Sequence, residues 1–278
     1  MSTTLDDKFN TLKGNLKAME RVIIAFSGGV DSAFLLKAAS MAGLSKILAV
    51  TGVSESLPEH ELSFAREIAA SLNIEHRLLV TEELKDVNYA NNPPDRCYYC
   101  KKDLFSRLRK IADDEGYSFI LDGSNADDAN EWRPGRRAAL EEGVKSPLLD
   151  AALSKKEIRH VSRSLGLPTW DKPAAPCLSS RFQYGRKITA EALDRVSRAE
   201  EYIRNIGIKE FRVRDHAEVA RIEVHPEDFR IFMNSTVRNE VVSFLRSIGY
   251  KYVSLDLQGF RSGSANEVLT DVNLQDAK

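Results

Sequence analysis

Residues 21–43 read RVIIAFSGGVDSAFLLKAASMAG, and this stretch decides the fold. It begins with a short apolar run typical of a buried strand, continues through a hexamer with two glycines, and ends in an apolar segment closed by Gly43. Glycine is common just after the last turn of a helix. The stretch therefore predicts a buried strand, a tight loop over residues 27–32, and a helix.

Strands and helices go on alternating on both sides of this stretch. The predicted strands are 46–53, 75–82 and 117–125, and the predicted helices are 5–19, 58–73 and 101–116. The strands are apolar runs, whereas the helices carry apolar residues at spacings of three and four. This alternation predicts an α/β fold, in which a parallel sheet has helices on both faces.

The second half of the chain has a different pattern. We predict a polar surface excursion at 124–143, a helix that starts with a capping box at Ser154, and a loop at 171–185. The later elements are predicted helices at 188–207 and 225–249 and predicted strands at 211–216, 219–224 and 251–257. At roughly 150 residues per domain, the 278 residues suggest two domains. We expect a parallel-sheet domain over 1–181 and a small α+β domain over 182–278.

The composition excludes several classes of protein. The chain has 42% hydrophobic and 29% charged residues, as folded globular proteins do. Its 40 Lys and Arg balance 41 Asp and Glu, so it lacks the basic excess of a dedicated nucleic-acid-binding protein. No run of about 18 apolar residues predicts a membrane span, and the N-terminus has no apolar signal segment. We expect a cytoplasmic protein for which neither a membrane nor nucleic acid is a partner.

The hexamer at 27–32 is a candidate phosphate-binding loop. Gly28 and Gly29 let the backbone approach an anion closely, and the helix that follows offers unpaired N–H groups at its positive end. Ser27 and Ser32 add hydroxyl donors, and Asp31 could hold Mg²⁺ against the phosphates. The alternative is a plain glycine turn in which Asp31 or Ser32 caps the helix. The full hexamer between a strand and a helix favours the anion site.

The hexamer resembles the SGGxDS signature of the PP-loop ATP pyrophosphatases. That family is similar in fold to the adenine nucleotide α-hydrolases, a Rossmann-like class. The resemblance implies that ATP and Mg²⁺ are used to adenylate a substrate oxygen with release of pyrophosphate. It also implies that Thr51 and Gly123 contact the nucleotide.

A narrower resemblance covers nearly the whole chain. PDRCYYCKKDLFSRL, CLSSRFQYG, FRVRDH and LDLQGFRSG resemble the LarE-type ATP-dependent sulfur transferases, which act in nickel-pincer nucleotide cofactor biosynthesis, the maturation of lactate racemase. The resemblance implies a pyridinium-3,5-biscarboxylic acid mononucleotide as substrate, whose carboxylates are adenylated and converted to thiocarboxylates. It further implies a homo-oligomer, possibly a hexamer, and a separate sulfide donor.

Three cysteines, Cys97, Cys100 and Cys177, need a chemical explanation. The resemblance implies two variants: one with a single cysteine that gives up its own sulfur, and one in which three cysteines hold an iron–sulfur cluster. This chain resembles the second, and three thiolates on a [4Fe–4S] cluster would leave one iron open for sulfide. Three alternatives stay open: a redox disulfide with a persulfide carrier, a zinc site, and unrelated buried thiols.

Candidate substrate residues follow the third cysteine. Arg212 and Arg214 lie two apart on a predicted strand, so both side chains share one face and could clamp a phosphate. The alternative is a solvated arginine face. The resemblance adds four more candidate substrate contacts, namely Ser180, Arg181, Glu200 and Asp228.

Two other functions are compatible with the sequence. A PP-loop enzyme that thiolates tRNA could also carry a CxxC pair and a third cysteine, although the neutral charge balance disfavours it. A nucleotide- or redox-binding module without catalysis is the other alternative, and the intact phosphate loop disfavours it. The resemblance to the LarE-type enzymes therefore implies an ATP-dependent sulfurtransferase.

Overall fold

The computed structural model describes residues 4–130, 133–261, 263, 264 and 267. The chain divides into two compact units, one formed by 1–89 with 95–175 and the other by 90–94 with 176–278. Residues 176–181, predicted as the end of the first domain, group with the second unit. Arg181 of this segment is ion-paired there with Glu200.

The described residues contain two sheets and several helices. The strands are β1 (Arg21–Ala25), β2 (Lys46–Val53), β3 (Glu75–Val80), β4 (Phe119–Leu121), β5 (Phe211–His216), β6 (Val219–Val224) and β7 (Tyr252–Leu255). The helices are α1 (Leu5–Lys17), α2 (Val30–Ala42), α3 (Glu59–Ser71), α4 (Val87–Ala90), α5 (Arg96–Glu115), α6 (Pro134–Glu141), α7 (Pro147–Asp150), α8 (Lys155–Ser164), α9 (Ala190–Asn205), α10 (Phe229–Met233) and α11 (Ser235–Ser247). None of the helices in the described residues is both long and apolar enough to span a membrane.

The first unit is built on a parallel sheet. Its strand order is β3-β2-β1-β4, and β1 pairs in parallel with both β2 and β4. Val22 and Ile24 of β1 pack into an apolar layer with α1, α2, α3 and α8, while Ile23 packs into the opposite layer with α5 and α6. Alternate residues of one strand thus fill two layers, which confirms the predicted α/β fold.

Two helices of the first unit differ from the sequence prediction. Helix α5 begins at Arg96 rather than at residue 101, so the first two cysteines lie in its first turns. The predicted polar excursion contains helix α6, which has a proline at its first position and packs Ala138 and Ala139 into the layer beside α5. Proline at this position suits a helix start, because no intrahelical partner exists there for an N–H group.

The second unit contains a three-stranded mixed sheet in the order β5-β6-β7. Phe211 and Val213 of β5 pack into its core, as predicted from their alternation with arginines. The predicted helix 225–249 is broken at Asn234, whose backbone is extended. Its side-chain oxygen accepts the N–H groups of Thr236 and Val237 and thereby starts a new helix.

One buried carboxylate connects several elements in the core of the second unit. Asp215 is fully buried, and its two oxygens form ion pairs with Arg186 and Arg195. The hydroxyl of Tyr250 donates a further hydrogen bond to it at 3.1 Å. The carboxylate therefore joins β5 to α9 and to the chain that leads into β7.

Replacing Asp215 with Asn is expected to destabilise the protein by about 3–5 kcal/mol, because two arginines would lose their buried partner. Urea unfolding of the full chain measures this loss. Asp194→Asn is the matched control, since Asp194 lies 3.7 Å from Arg198 on the exposed side of α9 and should matter little. Equal effects of the two substitutions would contradict a central role for Asp215.

Candidate active site

The loop between β1 and α2 folds back on itself through its serines. The Ser27 and Ser32 hydroxyl oxygens lie 3.1 Å apart, and the Ser32 hydroxyl donates to the Gly29 carbonyl at 3.2 Å. The Gly29 N–H donates to the Ser27 hydroxyl at 3.3 Å. Gly29, at the N-cap of α2, has no side chain that could cap the helix, and the first N–H groups of such a helix can meet an anion.

Two glycines are required by close packing around this loop. Gly28 has a φ of +70°, and a Cβ there would lie 2.9 Å from the Cβ of Ala65 on α3. A Cβ on Gly123, which follows β4, would lie 3.0 Å from the backbone nitrogen of Ser32. Gly123 therefore lies directly against the loop, which brings two predicted parts of the nucleotide site together.

Asp31 lies in the first turn of α2, where its charge suits the positive helix end. Its carboxylate is ion-paired with Lys155, the first residue of α8. The side-chain amide of Asn125 also approaches it, at 3.4 Å. Lys155 was not predicted as a site residue, because its only sequence signal is its place directly after the capping residue Ser154.

A second lysine contacts the other side of the loop. Lys172 forms an ion pair with Glu61 of α3 at 2.8 Å, and its ammonium also approaches the Gly28 carbonyl at 3.4 Å. Burial opposes the charge of Glu61, but hydrogen bonds from His60 and Lys172 outweigh it and leave the pKa of Glu61 below its usual value. This lysine was also missed, because it lies in the segment predicted as a loop.

Thr51 is buried within β2 and its hydroxyl is already engaged. It donates to the Phe26 carbonyl at 2.6 Å, and the Nε2 atom of His76 lies 2.8 Å from the same oxygen. Burial, together with the charge of Arg66, lowers the pKa of His76. In this structure Thr51 fixes the end of β1, directly before the loop, against β2.

The first two cysteines lie on one helical face. Cys97 is exposed and Cys100 half-buried, and residues three apart on a helix are neighbours. The intervening Tyr98 fixes this turn against α6: its hydroxyl donates to Glu141 at 2.7 Å, and Arg137 lies 3.8 Å above its ring. This contact explains why the helix begins early enough to contain both cysteines.

Cys177 belongs to the second unit, where it precedes the turn Leu178–Arg181. All three cysteines are thiols rather than disulfides. In the part of the chain that the structure describes, no group of three or more His, Cys, Asp or Glu side chains lies close enough together to hold a metal ion.

Arg181 and Glu200 form a buried, bidentate ion pair. Arg181 Nε and Nη2 donate to the two oxygens of Glu200 at 2.8 and 2.9 Å, and the Val213 N–H donates to the same carboxylate at 3.0 Å. Burial opposes the charge of Glu200, but these partners outweigh it and hold its pKa below the usual value. The two residues face each other rather than an open surface.

The two arginines of β5 share a face, as predicted, but have different surroundings. Arg214 donates to Glu223 at 2.9 Å, to the Ser264 hydroxyl at 2.7 Å, and to the Ser180 carbonyl at 2.7 Å. Arg212 lies over the ring of Phe260, with 4.9 Å between the guanidinium carbon and the ring centre.

Arg212 has an unusually acidic guanidinium. Burial, together with the positive charges of Arg181 and Arg214, lowers its pKa to about 10 against the opposing pull of Glu200 and Glu223. An anion placed beside Arg212 would relieve this electrostatic cost. The structure thus brings Arg181, Arg212, Arg214 and Glu200 into one cluster within the second unit.

The remaining two candidate substrate residues, Ser180 and Asp228, form hydrogen bonds with backbone carbonyls of their own turns. The Ser180 hydroxyl donates to the Cys177 carbonyl at 2.9 Å and stabilises the turn after that cysteine. Asp228 ends the turn Pro226–Asp228 before α10, where its N–H donates to the His225 carbonyl at 2.8 Å.

Similarity to known proteins identifies the family. The asparagine synthase family matches residues 10–100. A pyridinium-3,5-bisthiocarboxylic acid mononucleotide synthase from Lactiplantibacillus plantarum is 40% identical over 276 residues, which cover 98% of this chain and 98% of the relative. The chain belongs to the LarE-type family of PP-loop sulfur transferases.

Two further relatives are similar to this LarE-type chain. An uncharacterized protein from Synechocystis sp. is 44% identical over 96% of this chain and 99% of the relative. An NH(3)-dependent NAD(+) synthetase from Mannheimia succiniciproducens is 27% identical over 55% of this chain and 64% of the relative. The family predicted from the loop and from the longer motifs is thus confirmed.

Proposed function

We propose that this protein is an ATP-dependent sulfur transferase that converts carboxylates of pyridinium-3,5-biscarboxylic acid mononucleotide into thiocarboxylates. The observation that supports this most is the 40% sequence identity, over 98% of both chains, to the bisthiocarboxylic acid mononucleotide synthase. An intact phosphate loop between β1 and α2 supports the use of ATP. A carboxylate oxygen is a poor leaving group, and transfer of AMP to it turns it into part of a good one.

In the first step the triphosphate would bind at the N-terminus of α2. Backbone N–H groups and the hydroxyls of Ser27 and Ser32 would donate to its oxygens. Asp31 suits a Mg²⁺ site, because it is a partly exposed carboxylate beside the loop and hard cations prefer oxygen ligands. The ion would neutralise phosphate charge while the substrate carboxylate displaces pyrophosphate.

In the second step a sulfur nucleophile would displace AMP from the activated carboxyl carbon. Cys97 and Cys100 suit two neighbouring thiolate ligands of a [4Fe–4S] cluster, since they share one helical face near the start of α5. Cys177 would be the third ligand, and a meeting of all three is part of the proposal. When bound, the cluster would supply sulfur from an external sulfide donor.

The phosphate of the mononucleotide would bind at Arg212. Arg212 is a half-buried cation beside Arg181 and Arg214, and a phosphate dianion would stabilise this positive charge. Arg214 would support this site from beside Arg212, and Asp228 is a further candidate contact. We also propose a cytoplasmic homo-oligomer, possibly a hexamer, in keeping with the family resemblance.

Arg212→Ala is expected to weaken binding of the mononucleotide by roughly 1.5–3 kcal/mol, the usual contribution of a hydrogen bond to a charged group. Arg214→Ala should weaken it as well, and ATP binding should be little changed in either variant. Calorimetric titration with each ligand separately measures both effects. An equal loss of ATP and mononucleotide affinity would place the two arginines at the nucleotide instead.

One assay tests the proposed function as a whole. Pyrophosphate release is measured with the pyridinium mononucleotide, with tRNA, and with no acceptor. Stimulation by the mononucleotide supports the proposal, and stimulation by tRNA would indicate a tRNA-thiolating enzyme. ATP binding without release under any condition would indicate a binding module.

A further inference from the structure

The backbone around Cys177 is held by a buried guanidinium. Arg181 Nη1 donates to the Pro176 carbonyl at 2.8 Å, to the Cys177 carbonyl at 3.2 Å and to the Ser180 hydroxyl at 2.8 Å. These acceptors flank the cysteine on both sides. Arg181, together with the Ser180 hydroxyl that donates to the Cys177 carbonyl, therefore holds the short turn that begins at Cys177.

The rest of that guanidinium is anchored in the core. Its Nε and Nη2 atoms donate to Glu200 of α9, and Glu200 in turn accepts the N–H of Val213 on β5. The pair is about as buried as core residues, with 4% of Arg181 and 4% of Glu200 exposed. An unbroken chain of bonds thus runs from the sheet through α9 to the cysteine turn.

These bonds leave Arg181 poorly suited to bind a ligand directly. All three of its side-chain nitrogens donate to protein acceptors, and an approaching phosphate would have to break a buried ion pair. Breaking such a pair is costly, because it leaves an uncompensated charge in the interior. The bonds to carbonyls beside Cys177 instead suggest an effect on the cysteine.

We propose that Arg181 and Glu200 are positioning residues that fix the direction in which Cys177 presents its sulfur. The inference rests on the proposed function only for what that sulfur does, because the fixed turn is a property of the protein alone. Glu200 orients the guanidinium, and the guanidinium orients the turn. Catalysis would then depend on the pair although neither residue touches the reacting atoms.

The test uses Arg181→Lys and Glu200→Gln in the full chain. Lysine has a single side-chain nitrogen, so it cannot pair with Glu200 and bind the carbonyls of the turn at the same time. Glutamine keeps the shape of Glu200 without its charge. Arg195→Lys is the matched control, since it weakens another buried ion pair of the same unit, with Asp215, that lies outside the turn. All proteins are kept reduced and treated with an iron chelator.

The readout is the alkylation rate of Cys177 with iodoacetamide, followed by mass spectrometry. Cys177 should react about tenfold faster in both test variants than in wild type. Local opening of the wild-type turn must break a charged hydrogen bond, and this cost is absent in the variants. Hydrogen exchange of the amides at 177–181 should accelerate in parallel. Cys97 and Cys100, alkylated in the same samples, should keep their wild-type rates.

Turnover gives a second readout. On anaerobically reconstituted protein supplied with ATP, the mononucleotide and sulfide, kcat should fall in both variants while the KM for ATP stays unchanged. Wild-type reactivity of Cys177 in a folded Arg181→Lys protein would overturn the inference, as would equal acceleration by Arg195→Lys. If Arg181→Lys does not fold, Glu200→Gln decides alone. A wild-type protein without sulfur transfer would overturn the proposed function while leaving the alkylation test valid.

Discussion

Replacing Asp31 with alanine should reduce pyrophosphate release at least about 100-fold, the scale of losing one fixed transition-state contact. The carboxylate lies in the first turn of α2, where it could hold Mg²⁺ against the phosphates. The fold should survive, because a charge at a helix N-terminus typically contributes only about 0.3–1 kcal/mol. Circular dichroism should therefore remain native while the pyrophosphate assay falls.

The control for this experiment is Glu59→Ala. Glu59 is an exposed carboxylate in the first turn of α3, so its removal changes the charge of a neighbouring helix start without changing the loop. Its pyrophosphate release should match that of wild type. Normal release in the Asp31→Ala protein would remove Asp31 from the catalytic residues and leave it as a partner of Lys155.

The part of the fold that could be predicted is the part dictated by local pattern. The apolar run of β1, the glycines of the loop and the closing Gly43 agree on one structure, and that structure is observed. The capping box at Ser154 is likewise observed, with Glu157 as its partner. At these places local preference and packing favour the same conformation.

The helix starts that were missed depend on tertiary contacts. The residues RCYYC show no apolar helical period, and they become helical where Tyr98 meets Glu141 and Arg137 of α6. The break at Asn234 is different, because an asparagine cap is a local signal that a continuous apolar pattern concealed.

The electrostatic partners of the site could not be predicted from spacing. Asp31 and Lys155 lie 124 residues apart, and only the folded chain, in which α8 packs in the same layer as α2, brings them together. Arg181 and Glu200 were both expected near substrate, and their ion pair changes how each can act. A sequence pattern identifies the residue types of a site, whereas the geometry decides which of them contact a ligand and which hold others in place.

The largest expected effect concerns the fate of the cysteines during turnover. If Cys97, Cys100 and Cys177 jointly hold a [4Fe–4S] cluster, aerobic protein should be largely without iron and inactive. Anaerobic reconstitution should give about four irons per chain and a broad absorption band near 400 nm. Turnover should then require added sulfide and continue beyond one thiocarboxylate per chain.

Substitution of each cysteine separates the cluster from its alternatives. Alanine at any one of the three positions should remove iron binding and activity together, because two thiolates hold a cluster too weakly. A sulfur-donating Cys177 would instead make Cys97→Ala and Cys100→Ala nearly neutral. Their neighbour Tyr99 offers a control: Tyr99→Phe keeps both thiols, and its iron content should equal that of wild type.

One mass spectrum taken after several turnovers decides between the two sulfur sources. A protein that gives up its own sulfur becomes lighter by about 34 Da, as cysteine is converted to dehydroalanine. A protein that receives sulfide keeps its mass through many products. We expect unchanged mass, because the sacrificial route uses one cysteine and would leave the pair on α5, adjacent on one helical face, without a function. Mass loss at Cys177 would overturn the cluster proposal even if iron binds.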